Sequence, residues 1–60
     1  MRYDVRFAPA YNPGAKGISY TIQTDDNDLF CGEKERIAMK LEKEWGFPWI
    51  CVDVKAREVL

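Results

Sequence analysis

The sequence predicts an α+β domain with the chain order ββαβ, in which one helix packs on one face of a three-stranded, mainly antiparallel sheet. Three observations lead there. Two segments near the start alternate apolar and polar residues with the period of a strand. A middle segment spaces its apolar residues as one helix face does. The last segment, "WICVDVKA", returns to strand-like composition. At 60 residues the chain makes a single domain, 1–60, near the lower size limit for independent folding. Its 47% apolar content is too high for a disordered tail.

The first strand is "RYDVRFA", residues 2–8, where Tyr3, Val5 and Phe7 alternate with Arg2, Asp4 and Arg6. Pro9, Asn12, Pro13 and Gly14 supply turn chemistry after it. The second strand is "GISYTIQT", residues 17–24, with Ile18, Tyr20 and Ile22 on one face and Ser19, Thr21 and Gln23 on the other. The two form an antiparallel hairpin. "DDND", residues 25–28, then reads as a turn leading into a helix N-cap. A calcium loop is excluded, because Gly32 and Glu33 fall out of register with that pattern.

The helix is expected from Leu29 or Gly32 to Trp45, with Phe30, Ile37, Ala38, Leu41 and Trp45 on its apolar stripe. Gly46 and Pro48 stop it, and Phe47 supplies the apolar contact of a helix cap. Trp45 and Phe47 are thus assigned to core and cap. In the third strand, residues 49–56, Ile50, Val52 and Val54 are expected to face the helix. Trp49, Cys51, Asp53 and Lys55 then face away. A right-handed crossover gives the strand order 2-1-3. A second arrangement, with the third strand parallel beside the second, also satisfies the pattern.

Composition narrows the function classes. A net charge of −1 is no electrostatic footprint for nucleic acid, nor is it that of a strongly acidic mimic. No apolar run approaches membrane-spanning length, and "MRYDVRF" lacks the apolar core of a signal peptide, so the chain reads as cytoplasmic. With two cysteines and no histidine, a His-activated nucleophile cannot be assembled and an intrachain structural zinc site is not expected. Cys31 and Cys51 are expected on opposite sides of the sheet as free thiols. Asp25, Asp26 and Asp28 are expected in a turn with nothing to bury them. Cys31 lacks a base or an oxyanion site, and the four glycines form no phosphate-cradling motif. No enzyme, metal or cofactor is expected.

What remains is a set of side chains without a structural task. Strand parity leaves Trp49 on the open sheet face, where it either folds over the edge or serves as a rigid interface anchor. Arg2, Arg6 and Lys55 share that face and sketch a single-strand nucleic-acid platform. Asp4 and Asp53 oppose that reading, and cross-strand ion pairs account for the mixture. Tyr11 sits in the long "AYNPG" connection, either presented to a partner or packed beside the hairpin. Met39 lies opposite the helix core stripe, as a solitary exposed residue or an adaptable contact.

The size and ββαβ layout resemble the small α/β inhibitors encoded by phages and other mobile elements, anti-CRISPR proteins among them. "MRYDVRF" and "GISYTI" are also similar to the N-terminal half of HicB-type antitoxins, a pattern the chain leaves after the second strand. The expectation is a non-catalytic protein-binding module that occupies a surface of another protein, as an inhibitor of this phage type does. The partner-binding residues are then Trp49, Arg2, Arg6, Lys55, Tyr11 and Met39. The small core also suggests a homodimer. The alternative is a nucleic-acid-binding domain using Arg2, Arg6, Trp49 and Lys55 on the open face.

Overall fold

A computed structural model describes residues 1–57. Strand β1 is Arg2–Pro9, β2 is Ile18–Gln23, helix α1 is Asn27–Trp45 and β3 is Trp49–Arg57. The sheet order is β2-β1-β3, with β1 antiparallel to both neighbours. The ββαβ expectation holds, and β3 lies beside β1 rather than β2.

Helix α1 begins at Asn27, earlier than the sequence reading placed it. Asp26 is extended, and its carboxylate accepts from the backbone N–H groups of Asp28 (2.8 Å) and Leu29 (3.3 Å). That satisfies donors which a bare helix end leaves unpaired. At the other end Gly46 adopts the left-handed conformation, and its N–H donates to Glu42 O at 2.8 Å. The N-terminal ammonium of Met1 hydrogen-bonds and attracts the carboxylate of Asp25, holding it below its usual pKa.

The helix-covered face holds the core. Val5, Phe7, Ile22, Phe30 and Leu41 are buried, and Tyr3 meets Phe30 at a ring separation of 4.2 Å. Pairing between β1 and β3 carries one irregularity. Arg6 lies opposite Asp53 and Phe7 opposite Cys51, so Val52 has no partner across the ladder. Such a one-residue bulge reverses side-chain parity beyond it. From Val54 onward the register parity is the expected one, with Val54 opposite Val5, but Val54 is 44% exposed and stays outside the core it was assigned to. From Cys51 back to Trp49 it is inverted: Cys51 packs on the core, Trp49 is buried at 9% exposure, and Ile50 opposite Ala8 is exposed. The assignments of Trp49 and Cys51 to the open face, and of Ile50 to the core, are therefore corrected.

The hairpin connection folds back over the open face. Arg6 donates through Nη1 to the carbonyls of Ala15 (3.0 Å) and Lys16 (3.2 Å). Gly17 has φ 70°, and a Cβ built there would lie 1.9 Å from Phe7 O. No L side chain fits that approach. Gly17→Ala should therefore cost about 3 kcal/mol or more through strain and overlap. Gly14→Ala, whose Cβ would meet only Asn12 Oδ1 at 3.9 Å, should stay within about 0.5 kcal/mol. Denaturant midpoints of the two variants measure the contrast. The bulge has its own test. Deleting Val52 keeps every other β1–β3 pair and should lower stability by only about 1–2 kcal/mol. Deleting Val54 forces a change of face on one side of the gap and should abolish cooperative unfolding.

Candidate interface at the aromatic end

At the end of the sheet where β1 stops and β3 begins, three segments converge. Pro48 O accepts from Ala10 N–H at 2.9 Å, tying the hairpin loop to the turn after α1. Four aromatic rings meet there. Phe47 and Trp49 stack at 5.8 Å with planes 18° apart. Trp45 lies 6.0 Å from Trp49 and 6.4 Å from Phe47. Tyr11 meets Phe47 edge-on at 5.2 Å. These separations are those of favourable tilted and offset pairs.

The cluster is layered. Trp49 forms its buried floor, Phe47 is half-buried, and the outer rings are Trp45 at 55% and Tyr11 at 73% exposure. Trp45 was expected to close the helix stripe over the core. It does not, because the inverted parity puts the larger buried surface of Trp49 under the helix end and lifts Trp45 onto it. The indole N–H of Trp49 is buried and has no hydrogen-bond partner, which leaves a desolvated donor at the base of the cluster.

The other expected contact residues are dispersed. Arg6 holds the hairpin loop. Arg2 and Asp4 form an ion pair at 3.9 Å, and Asp4 also pairs with Arg57 at 3.1 Å and accepts from Thr21 Oγ1 at 3.3 Å. Lys55 lies opposite Asp4 in the register and is exposed. The open face therefore carries mutually compensating charges and lacks the Trp49 ring that the nucleic-acid platform required. Met39 is exposed on the solvent side of α1 and does not join the cluster. Trp45 and Phe47 join this cluster, a placement that strand parity missed. The crowding of rings in "WGFPW" was their signal.

Asp26 is used as the helix cap, Asp25 pairs with the N-terminus, and Cys31 is an exposed free thiol. Among the described residues, no group of three or more His, Cys, Asp or Glu is placed to hold a metal ion, and no helix is long and apolar enough to cross a membrane. No protein-family model, curated protein or solved structure matches this chain.

The layering gives opposite expectations for the two tryptophans. Trp49→Ala removes the buried floor and should cost about 3–5 kcal/mol, enough to unfold most of so small a domain. Trp45→Ala removes an outer ring and should cost about 1 kcal/mol or less. Thermal melting followed by circular dichroism distinguishes them.

Proposed function

We propose that this chain is a small, non-catalytic protein-binding module, acting like a phage- or mobile-element-encoded inhibitor that covers a surface of another protein, and that it makes contact through its aromatic end. The observation that carries the reading is the pair of exposed rings, Tyr11 and Trp45, braced by Phe47 and Trp49. Trp and Tyr dominate interface hot spots because they bury large area with few rotatable bonds. Here much of the ordering cost is already met, since each outer ring rests on another ring. The unpaired Trp49 N–H adds a second feature: a partner that displaces an outer ring and brings a carbonyl or carboxylate oxygen gives that donor its acceptor.

A direct comparison tests this. Immobilised wild-type protein and a Tyr11→Ala/Trp45→Ala variant are exposed to lysate of the source cells, and retained proteins are quantified by mass spectrometry. The variant should melt close to wild type. The binding partner should be lost from it, with affinity weakened roughly 30-fold or more, as for a ~2 kcal/mol hot spot. An Arg2→Ala/Lys55→Ala control should retain that partner. Equal retention by the aromatic variant and wild type overturns the assignment of the surface.

A further inference from the structure

The two edges of the sheet are chemically unlike. The β3 edge carries Asp53, Lys55 and Arg57 together with the bulge at Val52, all devices that discourage pairing with another strand. Strand β2, "ISYTIQ", has no charge, no proline and no bulge, and every residue in it suits a strand or is neutral. Among the described residues nothing pairs with its outer side. Beside it, between β2 and α1, runs an open groove of about 580 Å³ lined by Tyr20, Ile22, Leu29, Glu33, Arg36 and Lys40. Leu29 is 60% exposed in this groove.

We infer that the β2 edge pairs with β2 of a second copy of this chain, forming a two-fold symmetric dimer with a continuous six-stranded sheet. Antiparallel pairing of a strand with itself closes at two copies, so it makes a dimer and not a fibre. Opposed residues must share a face, so the two-fold passes beside either Tyr20 or Thr21. In both registers the two helices lie on the same side of the sheet and run in opposite directions.

The charge order on α1 suits that symmetry. Leu29, Glu33, Arg36 and Lys40 follow one another along the groove side at helical spacing. Their acidic residue is toward the N-terminal end and their basic residues are toward the C-terminal end. Glu33 and Arg36 pair within the helix at 3.2 Å, so a two-fold sets that pair in one copy toward Lys40 of the other, twice. Parallel pairing would oppose like with like. Sequence-neutral edge, open groove and self-complementary charge all fit the same occupant, and the aromatic end stays free.

Sedimentation of the full chain from about 1 µM to about 500 µM tests this, with melting temperature read over the same range. The wild type should pass from monomer to dimer mass and melt higher as concentration rises. Ser19→Lys/Thr21→Lys changes two exposed open-face positions. It sets lysine against lysine in either register, so the dimer dissociation constant should rise by about a hundredfold or more. Ser19→Glu/Thr21→Glu should be monomeric for the same reason. Mixing the two variants should restore dimer mass as a one-to-one heterodimer, which also shows that neither substitution destroyed the fold. A wild type that stays monomeric throughout overturns the inference and leaves the edge to a strand of some other protein. A dimer that survives both substitutions, or that Tyr11→Ala/Trp45→Ala abolishes, overturns it in favour of another interface.

Discussion

Between Asp53 and Cys51, β3 advances two residues while β1 advances one, and the arrangement of the whole molecule depends on that slip. Core residues from all three strands lie under the helix, and those that β3 supplies are Cys51 and Trp49. Val54 and Ala56 lie toward the end where Tyr3 meets Phe30, and Cys51 and Trp49 lie toward the end where β1 finishes. Without the bulge, Ile50 would take the place of Trp49. Burying a Trp removes roughly 150–250 Å² from water, worth about 4–6 kcal/mol at 25 cal/mol per Å², against about 1.5–3 kcal/mol for Ile. One unpaired residue near the sheet edge costs less than that difference. The bulge is the cheaper solution.

The same slip creates the exposed aromatic surface. With Trp49 beneath the end of the helix, Trp45 has nowhere to descend and stacks outside it. Gly46 turns the chain and Phe47 inserts against Trp49, while Pro48 offers its carbonyl to Ala10. That bond, together with the hold of Arg6 on the loop carbonyls and the close seat of Gly17, fixes the loop from which Tyr11 projects. The open face of the sheet thus acts mainly as a brace. Arg6 is used up in this way, and Asp4 engages Arg2, Arg57 and Thr21.

Period-two and period-3.6 patterns were sufficient for the strands, the helix and their order, because alternation in "RYDVRF" and "ISYTIQ" admits one assignment of faces; they left β3 open to a place beside β1 or β2, and the observed pairing selects β1. In "WICV" it does not. All four residues are apolar, so either parity gives a credible strand, and extending the alternation of Val52 and Val54 backward sent Trp49 to the wrong side. No glycine or proline marks the bulge. The decision rests on side-chain volume under the helix end, a tertiary quantity. The same parity puts Trp49 outside and Trp45 inside, the reverse of the burial found, whereas Tyr11 is exposed. The early helix start at Asn27 is a smaller case: "DDND" offers several caps, and only the geometry of Asp26 selects among them.

In the proposed dimer, edge and end are separate surfaces, and their combination bears on the proposed binding. Strand β2 runs opposite to β1, so its first residue, Ile18, lies opposite Phe7 near the aromatic end. Two such strands paired antiparallel carry their aromatic ends to opposite extremities of the six-stranded sheet. The two contact surfaces then point apart and cannot grip one small partner from both sides. They are suited instead to two sites on one larger assembly, or to two separate partner molecules. In the first case the second contact becomes intramolecular, and avidity can exceed the single-site affinity by about 10²–10⁴ without any new contact. In the second there is no such gain, and the dimer serves stability alone. A domain of this size has little core to spare, so the proposed dimer would add stability in either case, and the spacing of sites on the partner would decide whether the symmetry also serves recognition.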